Sequence, residues 1–332
     1  MSLFPTVVAL SDLIDGEEAD FFALLTTKEQ LTTRDGKPYL RVAFRDQQRE
    51  VTFPVWADSV HFIDARDNWS AGSFYKLRAR YQETSYGPQL EIEKIRAVLP
   101  EDAEAGFDPL TFQPRSRFDP EEMFAQLVEL AESSIQEQAL RDFVLATLEQ
   151  HKAALLTLPA ATRNHHAFVS GWLEHVLSVT RNCQFLADKY SESHADMQPP
   201  LNKDLVIAGG ILHDIGKLHE IAPGPTGAEY TSAGRLIGHI LQGRDIIREI
   251  AIQHPLPSDW LLRLEHIIVS HQRLPEWGSP KPPMTPEALL VHYADDVDAK
   301  FQIMAEVLRE PTAEEMASSR NPLRQPIYRG GD

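Results

Sequence analysis

The sequence predicts two domains, a small all-β barrel followed by a larger all-α domain. At roughly 150 residues per domain, 332 residues are enough for two hydrophobic cores. Alternating strand patterns with turn signals occupy the first 100 residues, whereas helical periodicity begins near residue 120. Charge divides the chain similarly, because residues 21–100 are slightly basic within a chain of net charge −17. We therefore assign a barrel to residues 1–105, a linker to 106–120, the helical domain to 121–320 and a frayed tail to 321–332.

The barrel is predicted from five strand-like segments. Three of them lie in residues 19–56, where hydrophobicity alternates from Tyr39 to Phe44 and Asp35-Gly36 supplies a hairpin turn. Two more, FYKLRARYQETS and PQLEIEKIRAVL, flank a turn at residues 86–88. Five short strands within about 80 residues are typical of a small barrel.

The linker and the helical domain are predicted from helix breakers and periodicity. Residues 106–120 are punctuated by proline and lack periodicity, and Asp119-Pro120 is a typical helix start. Apolar residues then recur at helical spacing, with no strand pattern in the remainder. The later helix candidates are residues 171–190, 204–219, 233–253, 259–271 and 286–308.

Composition excludes several classes of protein. Hydrophobic residues make up 42% and charged residues 24% of the chain, which excludes wholesale disorder or a rod. No apolar run is long enough to cross a bilayer, and the N-terminal residues have no signal-type core. The single cysteine, Cys183, cannot form an internal disulfide or a thiolate zinc cluster. We therefore expect a cytoplasmic protein in which Cys183 is a small buried side chain.

The most informative motif lies in the segment ILHDIGKL, residues 211–218, where His213 and Asp214 end an apolar helical stretch. Burying an aspartate costs several kcal/mol unless a cation or hydrogen-bond donors compensate it, so this pair indicates positive charge nearby. A divalent metal would satisfy both side chains. Other polar residues that interrupt apolar helix faces are His175, His239, His271 and Asp295.

This order of residues resembles the HD-domain superfamily of metal-dependent phosphohydrolases over residues 165–300. The resemblance implies that the primary metal ligands are His175, His213, Asp214 and Asp295. It further implies that Asp214 bridges to a second ion, for which His239 and His271 match the extra ligands of some members. Lys217 follows in the HD-x-G-K arrangement and is expected to meet a phosphate oxygen. Asp214 and Lys217 are thus the expected catalytic residues.

Such a site performs metal-assisted hydrolysis of a phosphate ester. Mixed imidazole and carboxylate ligands suit manganese, iron, cobalt, nickel or zinc better than calcium, and of these we expect manganese. Members of the family tend to carry a second histidine where this chain has Gln272, followed by glycine where it has Arg273. The sequence therefore leaves open whether one ion or two are bound.

The whole two-domain layout resembles the YhaM type of bacterial 3′-to-5′ exoribonuclease over residues 20–310, with an OB-fold followed by an HD domain. The similar stretches include NHHA at 164–167, GWLEH at 171–175 and LIGHI at 236–240. This resemblance implies a metal-dependent exonuclease that acts on single-stranded ends, with RNA favoured over DNA. Self-association into a homo-oligomer stays open.

Substrate contacts are expected from both domains. Aromatic rings can stack on bases and arginines can pair with phosphates, so an acidic protein can bind a single strand in a local groove. The candidates are Phe44, Trp56, Tyr81, Tyr86 and Arg41 on the barrel, and His165 and His166 before the first metal ligand. Phe44 and Trp56 fit a barrel core equally well.

Two alternatives come from other classes of function. The first is a phosphohydrolase of small nucleotides in which the barrel serves oligomerisation or regulation. The second is a non-catalytic nucleotide or nucleic-acid binder that keeps a residual metal site. Degradation of a strand from its 3′ end would distinguish an exonuclease from both alternatives.

Overall fold

A computed structural model of the chain describes residues 7–162, 166–224, 227–309 and 314–330. By its internal contacts the chain divides into two units. The first contains the residues up to Pro114 together with Gly224–Gly227, and the second contains the remainder. The first unit is a β barrel and the second is helical, which confirms the predicted fold class.

The sheet of the first unit has the strand order β4-β3-β2-β5-β6, and β1 adds to β2 in parallel. The central strand β2 pairs antiparallel with both β3 and β5, so the five strands follow the connectivity of an OB-fold. A short helix, α1 (Phe62–Asp67), connects β4 to β5. The strands are β1 (Val7–Val8), β2 (Glu18–Thr32), β3 (Pro38–Arg45), β4 (Glu50–Trp56), β5 (Phe74–Thr84) and β6 (Gly87–Ala97).

The barrel interior is filled by apolar side chains that alternate along the strands, among them Phe21, Val42 and Phe44. The opposite face of β2 is covered as well, because Phe22 and Leu24 pack with Phe112. The segment expected to be a detached linker therefore packs onto the sheet in its first half. Its aromatic residues bury apolar area that an exposed tether would leave in water.

The second unit contains nine helices among the described residues, and the hydrophobic α5 is buried at every residue after its first, Lys203. A helix without a polar face belongs in the centre of a domain, and α4 and α10 pack against it. The side chain of Asp119 caps α2 by accepting from the Glu122 amide, as the helix-start motif predicts. The helices are α2 (Pro120–Ser134), α3 (Gln138–Leu155), α4 (Gly171–Ser193), α5 (Lys203–Leu212), α6 (Lys217–Glu220), α7 (Ser232–Leu236), α8 (His239–Gln253), α9 (Ser258–Ser270) and α10 (Pro286–Arg309).

Two of the expected helices are interrupted. The helix expected over 204–219 ends at Leu212, and residues 213–216 form tight turns before α6 begins. The helix expected over 233–253 breaks at Gly238, whose φ of 80° is left-handed. In both places the interruption lies next to a predicted metal ligand.

The second unit is not purely helical, and its tail is ordered through residue 330, the last described residue. β7 (Ile221–Gly224) and β8 (Gly227–Tyr230) form a two-stranded sheet, and β9 (Met316–Ala317) pairs antiparallel with β10 (Ile327–Tyr328) in another. Ile327 is buried, and the Arg329 guanidinium donates to the Val307 carbonyl. This donor satisfies a carbonyl at the end of α10, which holds the tail in place.

No helix in the described parts of the chain combines the length and the apolar character needed to span a bilayer. Cys183 is fully buried, as expected for a small core side chain. Burial raises the pKa of its thiol, so it stays protonated.

An ion pair between the exposed Arg96 and the buried Asp102 fixes the end of β6 to the turn that follows it. The Arg96 guanidinium donates two hydrogen bonds to Asp102, at 2.6 and 2.7 Å, and holds the pKa of that carboxyl below its usual value of 3.8. We expect Asp102→Asn to lower the free energy of unfolding at pH 7 by about 1 to 3 kcal/mol, because Arg96 loses a charged acceptor. Urea denaturation of the full chain measures this loss.

Because folding lowers the pKa of Asp102, its stabilisation is present above pH 3.8 and disappears as the pH falls further. The difference between the native protein and Asp102→Asn should therefore shrink in strong acid. Glu18→Gln removes the exposed pair with Arg80 and should cost less than about 1 kcal/mol. Equal losses for the two variants would contradict this account.

Candidate metal centre

Five helix ends and faces bring the predicted ligands together in the second unit. His175 lies on α4, His213 and Asp214 directly follow α5, and Asp295 lies on α10. His239 is the first residue of α8, and His271 directly follows α9. Except for Asp295, which is partly buried, each of these residues has less than a tenth of its surface exposed.

Gly216 allows the turn after Asp214 to approach α8 closely. A Cβ atom at this position would lie 1.9 Å from the His239 carbonyl oxygen and 2.4 Å from the Gly243 nitrogen. Any larger residue would push apart the two segments that carry Asp214 and His239. The glycine of the HD-x-G-K arrangement is therefore required by packing.

The first group of donor atoms surrounds Nε2 of His175. This atom lies 3.3 Å from Nε2 of His213, 3.3 Å from Oδ1 of Asp295 and 3.5 Å from Oδ2 of Asp214. Metal bonds of about 2.1 Å place neighbouring donor atoms about 3 to 3.5 Å apart. The spacing of the group is thus that of ligands around one ion.

The second group shares Asp214 through its other oxygen. Oδ1 of Asp214 lies 3.4 Å from Nε2 of His239 and 3.5 Å from Nε2 of His271. The two carboxylate oxygens of Asp214 therefore face different groups, which is the arrangement of a bridging ligand. The structure brings together all six residues that the family resemblance implied.

All four imidazole rings are oriented by a hydrogen bond from Nδ1. His213 and His271 face the carbonyls of Gly210 and Ile268, at 2.8 and 2.7 Å. His239 faces Oε1 of Glu220 at 2.9 Å. His175 completes the set with Oδ2 of Asp298, at 2.7 Å. With the proton held on Nδ1 by these acceptors, Nε2 presents its lone pair to the cluster.

Two buried atoms of the cluster have no hydrogen-bond partner among the described residues. They are Oδ1 of Asp214 and Nε2 of His271. Leaving such atoms unpaired in the protein interior costs free energy, which a cation would recover. The donor set and these two orphaned atoms fit a divalent metal.

The protonation states also suit metal binding. Burial lowers the pKa of His213 to about 4, so this ring is neutral at pH 7. Burial opposes a charged Asp214 as well, but the Lys217 ammonium and the nearby imidazoles hold its pKa well below the usual range. For His175, burial is outweighed by Asp214, Asp295 and Asp298, which raise its pKa. A metal ion that replaces this proton makes binding pH-dependent.

Lys217 lies at the edge of the cluster. Its Nζ donates to Oδ2 of Asp214 at 2.7 Å and to the carbonyl of Ala160. Burial opposes the charged ammonium, but Asp214 outweighs burial and raises the pKa of Lys217. Gln272 lies beside the second group, with Nε2 3.3 Å from Nε2 of His239.

Comparison with known proteins identifies the family. The HD domain family model matches residues 172–300. The chain is 33% identical over 298 residues to the 3′-5′ exoribonuclease YhaM of Bacillus subtilis (strain 168), and the match covers 88% of each protein. This chain belongs to the YhaM family of HD-domain proteins. The resemblance inferred from the motifs is thereby confirmed.

Two other comparisons cover most of the chain or a smaller part of it. The 3′-5′ exoribonuclease YhaM of Listeria monocytogenes serotype 4b (strain CLIP80459) is 32% identical over 300 residues, covering 90% of this chain and 91% of that protein. A solved domain of replication protein A from Methanococcus maripaludis is 11% identical, covering 28% of this chain and 94% of that one, with a TM-score of 0.23. The chain thus matches YhaM proteins across both units.

The structure corrects several expected substrate contacts. Phe44 and Tyr81 were expected to stack on bases, which is wrong because both rings are buried in the barrel core. His166 is also buried, and its Nε2 lies 3.2 Å from Oδ2 of Asp298. His166 therefore helps to hold Asp298 and does not present a face to substrate. His165 lies outside the described residues.

The remaining barrel candidates are exposed. Half of Trp56 and most of Tyr86 reach solvent, and the Trp56 ring lies 5.1 Å from that of Tyr39. The Arg41 guanidinium pairs with Glu29 at 2.7 Å, so part of its charge is already neutralised. A role of these residues in binding stays a prediction.

Sequence reasoning missed Glu220, which also accepts from the backbone amide of His239. No motif connects two residues 19 positions apart, and an isolated glutamate after an HD-x-G-K arrangement looks like a solvated charge. The sequence left open whether Asp298, one helical turn after Asp295, orients a metal ligand or faces water, and the structure shows that it contacts His175. Its position on the same helix face was the available signal.

Asp298 gives the first test of the site. Replacing Asp298 by asparagine removes the carboxylate that orients His175, so we expect the affinity for Mn²⁺ to fall about 10- to 100-fold. Titration calorimetry measures this affinity without any need for activity. Asp296→Asn, on the same helix, removes an exposed partner of Lys300 and is expected to bind Mn²⁺ normally. Unchanged affinity in Asp298→Asn would refute the orienting role.

Proposed function

We propose that this protein is a metal-dependent phosphodiesterase that removes nucleotides from the 3′ end of single-stranded RNA. The observation that carries the proposal is the convergence of six candidate ligands, five of them buried and one of them Asp214 itself, in a chain that matches YhaM exoribonucleases over both units. The proposed catalytic residues are Asp214 and Lys217. The proposed ligands of the first ion are His175, His213, Asp214 and Asp295, and those of the second are Asp214, His239 and His271.

Divalent ions bound there would make a water molecule acidic and neutralise charge on the phosphoryl oxygens. The chain's own residues position the reaction. The four Nδ1 hydrogen bonds fix the imidazole rings before substrate arrives, so little reorganisation is needed later. Burial around Asp214 excludes competing water and strengthens each charge interaction.

Lys217 is proposed to contact the phosphate directly. An ammonium group has three N–H donors. Two of them are used by Asp214 and the carbonyl of Ala160, which leaves one for a phosphoryl oxygen. In hydrolysis the water oxygen bonds to phosphorus, the bond to the leaving sugar oxygen breaks, and that oxygen takes up a proton. Lys217 would stabilise the negative charge that builds up on the phosphoryl oxygens.

Several finer points belong to the same proposal. We propose manganese as the metal, because borderline transition metals suit imidazole and carboxylate ligands. We propose RNA over DNA and a cytoplasmic location, in keeping with the exoribonuclease activity for which the relatives are named and with the single buried cysteine. A barrel of OB connectivity suits single strands, since such barrels bind through exposed aromatic and basic residues.

The proposal is tested with the purified protein, Mn²⁺ and a 5′-labelled single-stranded RNA. We expect a ladder that shortens from the 3′ end, and His213→Ala should slow it at least about 100-fold because a ligand is lost. His194→Ala, an exposed histidine of the same unit, should degrade RNA at the normal rate. Intact RNA with every divalent metal would exclude an exonuclease, and turnover of mononucleotides alone would favour the small-nucleotide alternative.

The barrel is tested by binding. In the presence of a chelator, so that no cleavage occurs, Trp56→Ala should weaken binding of a single-stranded RNA about 5- to 150-fold through loss of stacking. Trp56→Phe should retain most of the affinity. Ile63→Ala, which removes an exposed apolar side chain without a ring, is the matched control. Fluorescence anisotropy measures all four proteins, and equal affinities would remove Trp56 from the binding surface.

A further inference from the structure

A cleft of about 770 Å³ in the second unit opens beside the metal centre. Lys217 and His239 line it and are 8% exposed, whereas Tyr230 and Trp277 line it with 46% and 53% of their surface exposed. The buried members therefore lie at the bottom and the two aromatic rings at the mouth. None of the lining residues outside the motif was expected to contact substrate.

The two aromatic rings are held by rigid local structure. Trp277 ends a short helical turn that closes at Gly278, where a φ of 102° favours glycine. The same loop is fixed by Ser279, whose buried hydroxyl accepts from the Gln272 amide. Tyr230 is the last residue of β8. Large apolar rings that are fixed at a polar cleft and half exposed are suited to a flat apolar ligand.

The cleft also offers a cation for an anionic group. Arg235, on α7, is exposed, and its guanidinium forms no ion pair with any carboxylate of the described residues. It lies 6.0 Å from the centre of the Tyr230 ring. Of the two lining glutamates, Glu220 is engaged by His239. Glu229 is exposed, where a carboxylate can accept from sugar hydroxyls.

We propose that this cleft binds the 3′-terminal nucleotide of the strand, with its base on Trp277 and its phosphate near Lys217 and Arg235. The proposal rests on the exonuclease function proposed above, and it names the residues that hold the nucleotide to be released. A volume of several hundred Å³ is typical of a pocket for a single small ligand. An exonuclease must hold this end next to its metal centre, and this cleft lies there.

The test separates the base from the rest of the nucleotide. Two 5′-labelled RNAs are compared, one with adenine at the 3′-terminal residue and one abasic there. In the native protein we expect the abasic end to lower kcat/KM for the first cleavage about 5- to 150-fold, the range for one stacked base. Trp277→Ala should impose the same loss on the adenine end and none on the abasic end, while Trp277→Phe should retain most of the rate. Phe185→Ala removes another exposed ring of this unit and should change kcat/KM for neither RNA.

Equal losses on both RNAs in Trp277→Ala, or no loss on either, would overturn the proposal while leaving the exonuclease function intact. If no strand is cleaved, the proposed exonuclease function is refuted, but the cleft can still be tested by a binding measurement. With Mn²⁺ present, titration calorimetry should show adenosine 5′-monophosphate binding tighter than ribose 5-phosphate in the native protein but not in Trp277→Ala. Arg235→Gln should weaken the binding of adenosine 5′-monophosphate and leave the binding of adenosine unchanged. If the native protein binds adenosine 5′-monophosphate and ribose 5-phosphate equally tightly, the proposed nucleotide site in the cleft is refuted.

Discussion

The second unit depends on one buried carboxylate. Asp214 has both oxygens in the interior and cannot be solvated there, so its charge must be compensated by protein groups or by ions. Lys217 and three imidazole rings of neighbouring elements lie around it at distances of 2.7 to 3.5 Å. The breaks after α5 and before α8 place these groups within reach. The need to compensate this buried charge thus governs both the packing around the central helix and the chemistry of the site.

Helix ends supply much of the precision of the site. The last carbonyls of a helix have no amide partner within the helix. His213 and His271 each follow the end of their helix, and each ring donates from Nδ1 to the carbonyl three residues earlier. The same hydrogen bond therefore caps the helix and aims Nε2 at Asp214. His175 and His239 lie elsewhere on their helices and use the carboxylates of Asp298 and Glu220 in the same role.

The sequence predicts well which residues cluster at the candidate metal centre and predicts the groups that support them poorly, for a physical reason. A polar residue such as His175 on an otherwise apolar helix face is visible in one sequence, because burial must be compensated. Glu220 supports His239 from a turn between helices, where a glutamate is unremarkable. Within the barrel, period-two alternation shows that Phe44 and Tyr39 lie on opposite faces of β3, but it does not say which face is inside. Phe44 was therefore expected on a binding surface and lies in the core.

Charge and stacking divide the work of binding a polyanion to an acidic protein. With a net charge of −17, long-range attraction cannot gather the strand, and each additional phosphate contact would have to overcome that repulsion. Stacking on an exposed ring needs no net charge, and the described structure offers such rings on the barrel at Trp56 and beside the metal centre at Trp277. In the proposed function Lys217 and Arg235 would act only over short distances, where an ion pair is least screened. Under the proposed function, exposed rings and nearby cations would let this chain select a single strand without attracting bulk nucleic acid.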